Sequence, residues 1–279
     1  MRTRFAPSPT GPLHLGHAYA AIVAHDMARA EGGEFLLRIE DIDESRARPE
    51  WEEAIYEDLT WLGLTWDGPV VRQSGRMPAY AAALDRLWNA DLLYPCTCTR
   101  RDIAEALGAP QEGSALGPDG PVYPGTCRSK ADMPYEPHPG PAHLRLNMAR
   151  AAHTTEFTET GPAHPGKVTT TREDYIAQIG DIVLARRDMG TSYHLSVVID
   201  DASQGITHVT RGEDLFEATP IHILLQRLLG LPTPTYHHHR LIRDDHGKRL
   251  AKRDDARAIK SYRDAGATPR DIRRRIGLA

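Results

Sequence analysis

A chain of 279 residues, of which 40% are hydrophobic and 26% charged, can bury a full core as one large domain or two small ones. It contains no apolar run near the length of a membrane span, and its first residues lead straight into a candidate strand, so a signal peptide is not expected. The net charge of -4 argues against non-specific coating of nucleic acid, and three cysteines make no disulfide framework, so we expect a reducing cytoplasm.

The first predicted elements are a strand, a turn and a helix. Residues 3–6 can extend as a strand, and residues 18–30 are rich in alanine and apolar side chains, which favours a helix. Residues 7–17 read PSPTGPLHLGH, and three proline rings make this segment a turn. A turn before a helix N-terminus is typical of anion sites, and the imidazoles of His14 and His17 suit a phosphoryl group. A proline-rich loop with incidental histidines is the alternative.

The next predicted elements surround an insertion. A buried strand at residues 35–39 runs into an acidic cluster at residues 40–44, where open α/β sheets hold ligands, and helices are expected at residues 49–62 and 77–90. Glycine and proline become dense between residues 91 and 170, so we expect an insertion with little regular structure there. Its exceptions are a helix near residues 101–107 and a strand near residues 143–147.

The α/β alternation resumes at residue 179. Strands are predicted at residues 181–186 and 206–210, and helices at residues 193–199 and 218–229. Three consecutive histidines follow at residues 237–239, and we assign them no metal role. The chain then contains a basic stretch at residues 248–253 and two short basic helices, whose arginines form a local patch that could dock a structured RNA: Arg263, Arg270, Arg273, Arg274 and Arg275.

Four polar residues are expected at strand ends that face the first turn: Arg4, Glu40, Tyr193 and Arg211. Glu40 can pair with an ammonium group, and either Arg4 or Arg211 can offer a carboxylate its planar fork of donors. Such a site would hold a ligand with one positive and two negative groups. Surface ion pairing is the alternative for each residue taken alone.

Two further patterns suggest phosphate and metal chemistry. Lysines of the 248–253 stretch can reach the phosphates of a nucleotide if they lie on a closing loop, although a solvated charge run is the alternative. Cys96 and Cys98 form C-x-C, and Cys127 follows, which suggests a structural zinc site that needs a fourth ligand. The candidates for that ligand are Tyr123, His138 and His143, and three reduced, unrelated cysteines are the alternative.

Four motifs in order resemble the catalytic core of glutamyl-tRNA synthetases, which are class I synthetases: RFAPSPTGPLHLGH, LRIEDID, YHLSVVIDD and HVTRGEDL. The resemblance implies an α/β fold with a Rossmann-like catalytic core, in which helices flank a parallel sheet. It also implies an inserted, zinc-binding, acceptor-type subdomain and a short helical C-terminus. We expect the two halves of the core at residues 1–92 and 176–240, the insertion at 93–175 and a lysine-containing loop with basic helices at 241–279.

The resemblance also assigns roles to residues. His14, His17 and Lys252 are the implied catalytic residues, with ATP bound by His14, Gly16, His17, Arg249, Leu250 and Lys252. Arg249 and Ala251 depart from the usual Lys and Ser of the KMSKS element. The implied glutamate-binding residues are Arg4, Phe5, Ala6, Pro7, Ser8, Glu40, Tyr193 and Arg211. The implied zinc ligands are Cys96, Cys98, Tyr123 and Cys127.

Three features are similar to a truncated paralogous family, the glutamyl-queuosine tRNA(Asp) synthetases. The chain stops at Ala279, so we expect no anticodon-binding domain; Val197 stands where full-length enzymes usually carry Asn; and the C-x-C…Y-x-x-x-C pattern is present. This resemblance implies that the protein activates glutamate with ATP and Mg²⁺ without tRNA and transfers it to the queuosine base at the wobble position of tRNA(Asp). A cytoplasmic monomer is expected.

Three other functions remain open at this point. A catalytic fragment of a conventional glutamyl-tRNA synthetase would charge a tRNA 3′ end. A nucleotidyltransferase of the same superfamily would use another acid, although Arg4 with Arg211 argues against it. A non-catalytic tRNA-binding module would not need His14, His17 and Lys252.

Overall fold

The computed structural model describes residues 1–107, 116–132, 142–242 and 257–278. Its strands are β1 Arg2–Phe5, β2 Glu34–Ile39, β3 Val71–Arg72, β4 Leu93–Cys96, β5 Leu116–Gly117, β6 Gly120–Pro121, β7 His143–Leu146, β8 Thr155–Glu159, β9 Gly166–Thr170, β10 Val183–Ala185, β11 His208–Gly212 and β12 Thr235–His239. Its helices are α1 Leu15–Ala30, α2 Pro49–Trp61, α3 Met77–Asn89, α4 Arg100–Leu107, α5 Met148–Ala151, α6 Arg172–Asp174, α7 Tyr193–Ser203, α8 Thr219–Leu228, α9 Ile259–Asp264 and α10 Pro269–Arg275.

Two parallel sheets form the centre of the fold. β1, β2 and β3 pair in parallel, and β11 pairs in parallel with β12, which also meets β8. The two sheets lie side by side at β1 and β11, because the Thr207 backbone N–H donates to the Arg2 carbonyl at 3.0 Å. The carboxyl ends of β1, β2 and β11 therefore meet at one edge, as expected for a Rossmann-like α/β core.

A hairpin in the insertion was not predicted. β8 and β9 pair antiparallel over five residues each, and β8 buries Thr155, Phe157 and Glu159 while its intervening residues are exposed. The prediction of little regular structure was wrong here, because the strand sequences TEFTE and GKVTT are polar and carry few apolar residues. The turn between the strands contains Gly161, where a Cβ atom would lie 2.1 Å from the His238 carbonyl, so only glycine lets the turn approach β12 this closely.

The insertion also contributes β4 and β7 to an antiparallel sheet with the order β10-β7-β4, whose strand β10 follows the insertion. This sheet and α3, α7 and α8 share one apolar core, whereas α1, α2 and the C-terminal helices share another. α1 packs closely in the second core because Ala18, Ala21 and Ala24 are fully buried. Within the described ranges, no helix combines the length and apolar character that a membrane crossing requires.

The C-terminal helices pack on the first half of the chain. Ile259 and Ile272 are buried in the core with α1 and α2. Arg273 donates twice to Asp26 of α1, at 2.6 and 3.1 Å, and Arg263 contacts Glu57 and Asp58 of α2. Arg263 and Arg273 are therefore half-buried and paired with carboxylates, whereas Arg270, Arg274 and Arg275 are exposed.

Candidate active site

The turn before α1 ends in a pair of stacked histidines. His14 is the N-cap of α1, and its Nδ1 accepts the Gly16 backbone N–H at 3.1 Å, while His17 Nδ1 accepts the His14 backbone N–H at 3.2 Å. The ring centroids lie 3.8 Å apart. Because each Nδ1 accepts a hydrogen bond, each neutral ring carries its proton on Nε2. This capping also explains why the helix begins at Leu15, three residues before the predicted start.

The stacked pair leaves little room for a side chain at position 16. A Cβ atom at Gly16 would lie 3.0 Å from His14 Cε1, so a larger residue would displace that ring. The turn itself is fastened to the end of β2, because the Glu40 backbone N–H donates to the Pro7 carbonyl at 3.0 Å. Of the other predicted glutamate-binding residues in the turn, Phe5 is buried and Ser8 is exposed.

A segment from the C-terminal part of the chain returns to this turn. The Ile259 backbone N–H donates to the Leu13 carbonyl at 2.8 Å, and Ala258 forms a β-bridge with His14. Residue 257, the first described residue after the basic stretch, therefore lies close to the histidine pair. The predicted ATP-binding residues of that stretch, Arg249, Leu250 and Lys252, lie outside the described residues.

Arg4 lies at the sheet edge with its charge balanced. Its guanidinium donates to both carboxylate oxygens of Asp201, at 2.9 and 3.3 Å. The fully buried Arg38 donates to the same carboxylate at 2.7 Å and to Glu40 at 3.4 Å. Two arginines and two carboxylates thus form one buried quartet that joins β1, β2 and α7, and we call Arg4, Arg38, Glu40 and Asp201 the charge quartet.

Glu40 is the member of the charge quartet that can change protonation most easily. Burial raises the pKa of its carboxyl group, and the positive charges of Arg38 and Arg4 oppose that rise without cancelling it. Its side chain is 10% exposed. A cationic group that reached Glu40 would therefore favour the ionised form and would itself be bound more tightly as the pH rises.

Arg211 is buried on β11 among neutral side chains. Its guanidinium donates to His238 Nε2 at 3.1 Å, to His222 Nδ1 at 2.9 Å and to Thr219 Oγ1 at 2.5 Å. Burial, followed by the charge of Arg211, holds the pKa of His222 well below its usual value. In the part of the chain that the structure describes, Arg211 forms no ion pair with a carboxylate, in contrast to Arg4.

Tyr193 is the first residue of α7 and lies next to His222. Its ring is 5.7 Å from that of His222, and its side chain is partly exposed. Desolvation raises the pKa of its hydroxyl, and the charges of Arg211, Glu40 and Arg4 all act on it. The structure therefore brings the four predicted polar residues into one site.

The three cysteines form a compact cluster in the insertion. Their Sγ atoms all lie within 4.8 Å of one another, and those of Cys98 and Cys127 are 3.5 Å apart. Tetrahedral zinc with sulfur ligands at about 2.3 Å places the sulfurs roughly 3.8 Å apart, so the spacing fits such an ion. Burial raises the pKa of the Cys127 thiol, but hydrogen bonds from Thr97, Tyr123 and Cys98 outweigh it and lower the pKa to about 6. A thiolate, the form that binds metals, is thereby favoured.

Tyr123 is the candidate fourth ligand that the structure brings to the sulfurs. Its hydroxyl lies 3.2 Å from Cys98 Sγ and 3.5 Å from Cys96 Sγ. His143 pairs with Cys96 across the β4–β7 ladder, but its Nδ1 accepts the Arg187 backbone N–H at 3.4 Å and it does not join the cluster. His138 lies outside the described residues.

Sequence reasoning missed several residues that shape the site. Arg38 could have been predicted as part of a buried ion pair, because a charged residue inside the apolar strand FLLRI needs a partner when it is buried. His238 could have been suggested by the period of a strand, which places Tyr236 and His238 on one face of β12. His222 lies only 11 residues after Arg211 but on α8, and Glu159 lies on β8, far from Arg211 in the sequence; no local pattern connects either residue with Arg211.

The chain is similar to proteins of known family. The model of the tRNA synthetases class I (E and Q), catalytic domain, matches residues 1–279. A protein of Rhodobacter capsulatus named Glutamyl-Q tRNA(Asp) synthetase is 68% identical over 282 residues, which cover 100% of both chains. A protein of Geobacter sulfurreducens with the same name is 44% identical over 94% of this chain and 78% of its own. A glutamate tRNA ligase from Elizabethkingia meningosepticum, crystallised in complex with its amino acid, superposes with a TM-score of 0.71 at 30% identity over 91% of this chain and 52% of that one.

Proposed function

Because the chain belongs to the class I tRNA synthetases and, within them, to the Glutamyl-Q tRNA(Asp) synthetases, we propose that it activates glutamate with ATP and transfers it to queuosine in tRNA(Asp). The observation that carries the proposal is one sheet edge with three complementary parts. These are an imidazole pair, a buried carboxylate and an arginine held by neutral groups. The test is glutamate incorporation into tRNA(Asp) with and without queuosine.

The proposed first step makes glutamyl-adenylate. A carboxylate oxygen of glutamate attacks the α-phosphorus of ATP, the bond to the bridging oxygen breaks, and pyrophosphate leaves. His14 and His17 are proposed to donate from Nε2 to the α-phosphate as charge accumulates there. Lys252 is proposed to neutralise the departing pyrophosphate, to which Mg²⁺ remains bound as part of the nucleotide substrate. No RNA takes part in this step.

The proposed second step is acyl transfer to RNA. A hydroxyl of the queuosine cyclopentenediol attacks the activated carbonyl carbon, and AMP leaves with the electron pair of the broken bond. The protein supplies no nucleophile of its own, so positioning of the two substrates contributes most of the rate. Exposed Arg270, Arg274 and Arg275 are proposed to contact RNA phosphates.

Glutamate is proposed to bind with its ammonium group at Glu40 and a carboxylate at Arg211. An ionised Glu40 attracts an ammonium group much more strongly than a protonated Glu40 does. Burial raises the pKa of the Glu40 carboxyl group, so its protonation state can control this attraction. Tyr193 is proposed to donate its hydroxyl, which stays protonated at neutral pH. Arg4 contributes mainly through the charge quartet, because Asp201 already balances its charge.

This assignment predicts a pH dependence. We expect the KM for glutamate to rise as the pH falls toward the raised pKa of Glu40, because protonation removes the partner of the ammonium group. Glu40→Gln should raise KM by about tenfold or more and flatten its pH dependence. Pyrophosphate exchange between about pH 5 and pH 8 measures both effects. Glu44→Gln, an exposed neighbour, is the control, and parallel profiles for the parent and Glu40→Gln would contradict the assignment.

We also propose one structural zinc ion, held by Cys96, Cys98, Tyr123 and Cys127. Such an ion would tie β4 to the segment that follows β6, where few apolar residues are buried. We further propose that the protein is a cytoplasmic monomer.

Elemental analysis should find about one zinc per chain. Cys98→Ser should lose the ion and expose residues 95–130 to protease before it affects adenylate formation, because the cluster lies in the insertion. Tyr123→Phe should weaken zinc binding, whereas His143→Gln should retain it, since His143 Nδ1 already accepts a backbone hydrogen bond. A metal-free preparation that is fully active and protease-resistant would exclude the ion.

A further inference from the structure

We propose that His222 and His238 are positioning residues that keep the charge of Arg211 available to a carboxylate of the substrate. Both supply acceptors to the guanidinium without supplying negative charge. This inference rests on the proposed function, because it assumes that the substrate carries the carboxylate.

Arg4 provides an internal comparison for Arg211. Arg4 and Arg211 are buried to the same degree, with 7% and 6% of their surface exposed. Arg4 is oriented by a negatively charged group, the Asp201 carboxylate that it shares with Arg38, while Arg211 is oriented by two imidazoles and a hydroxyl, which bring no negative charge. Both guanidinium groups are thus held in place by hydrogen bonds. An anionic ligand would be repelled by the partner of Arg4 but not by the partners of Arg211.

Arginine can only donate hydrogen bonds, so Arg211 determines which nitrogen of each neighbouring imidazole carries the proton. Because Arg211 must donate to His222 Nδ1, His222 carries its proton on Nε2 and donates to His194 Nδ1 at 3.0 Å. Likewise, His238 accepts at Nε2 and therefore donates from Nδ1 to Glu159. Along each of these two chains of hydrogen bonds, at least one neutral ring separates Arg211 from the first carboxylate.

The arrangement leaves donors for a ligand. A guanidinium has five N–H groups, and three of them make the bonds to His238, His222 and Thr219. Among the described residues, the remaining two have no recorded acceptor. A buried charge without a counter-ion is costly, so a bound carboxylate would relieve that cost as it binds.

Three substitutions at position 222 separate charge from hydrogen bonding. Asn and Asp have the same size and both place an oxygen near the position of Nδ1, but only Asp brings a negative charge. We expect His222→Asn to keep the glutamate KM within about threefold of the parent value. His222→Asp should raise it by about tenfold or more, with a smaller change in kcat and none in the KM for ATP. His222→Leu should raise the KM as well, because Arg211 then loses an acceptor.

The controls make each outcome decisive. His208→Asp introduces the same charge on β11, three residues from Arg211, and should leave the KM unchanged. Thermal melting of every variant identifies loss of fold, which would lower the apparent kcat without a selective rise in the KM for glutamate. Equal KM values for His222→Asn and His222→Asp, with both variants folded, would overturn this inference and leave the proposed function standing. A parent enzyme without glutamate-dependent pyrophosphate exchange would instead overturn the proposed function.

Discussion

Glutamate should be incorporated into tRNA(Asp) that carries queuosine but lacks its terminal CCA, and should not be incorporated when guanosine replaces queuosine. The hydroxyl that acts as the nucleophile explains both expectations. The cyclopentenediol of queuosine offers vicinal hydroxyls, as a terminal ribose does, and a base in a loop can be splayed into a pocket as an RNA end can. We expect the loss on removing queuosine to be complete, because the guanine base carries no cyclopentenediol hydroxyl to acylate.

The measurement is labelled glutamate retained on purified tRNA. Full-length tRNA(Asp) with queuosine is the positive control, and a tRNA(Asp) transcript with an intact CCA but no queuosine separates the two acceptors. Labelling of that transcript, together with loss of labelling on CCA deletion, would mean that the protein charges a 3′ end as a conventional glutamyl-tRNA synthetase does. Incorporation should also fall steeply with salt if Arg270, Arg274 and Arg275 contact phosphates.

Pyrophosphate exchange should proceed with glutamate and ATP alone, and Lys252→Ala should lower its kcat by about a hundredfold or more. The expected loss is large because Lys252 is proposed to balance charge that develops only as pyrophosphate leaves. The described residues are consistent with a role near the phosphates, since the chain returns at Ala258 to pair with His14. The KM for glutamate should change little in the same variant.

Lys260→Ala is the matched control, because Lys260 is exposed and pairs with Asp264 on α9. It removes the same side chain from the same part of the chain and should leave exchange unchanged. Exchange that strictly requires tRNA would refute the RNA-independent step. Equal kcat values for the two lysine variants would remove Lys252 from catalysis.

Much of the fold could be predicted because local physics determined it. The prolines before His14 exclude a helix, and the alanines after it favour one, so the strand, turn and helix at the start of the chain were confirmed. The cysteine spacing likewise predicted a cluster that the structure brings together. The hairpin β8–β9 could not be predicted, because its strands are polar with few apolar residues and its contact with β12 joins segments that are far apart in the sequence.

The charge balance around each site residue was harder to predict than which residues form the site. Arg4 and Arg211 look equivalent in the sequence, since each is a single arginine at a strand end. The structure distinguishes them by partners from elsewhere in the chain, Asp201 for one and His222 for the other. Such partners depend on how α7 and α8 pack on the sheet, and propensity and spacing carry no information about that packing.

The charge quartet has a consequence for how this site can evolve. Arg4 and Arg38 share the single carboxylate of Asp201, so replacing Asp201 leaves two buried guanidinium groups without this partner, and replacing either arginine or Glu40 removes one of the paired charges. Breaking a buried pair in this way costs about 3–5 kcal/mol, a large fraction of the stability of a typical domain. A lineage could change these residues only through a strongly destabilised intermediate or by paired substitutions. The proposed glutamate-binding end of the pocket should therefore drift slowly, while the exposed arginines proposed to contact RNA remain free to diversify.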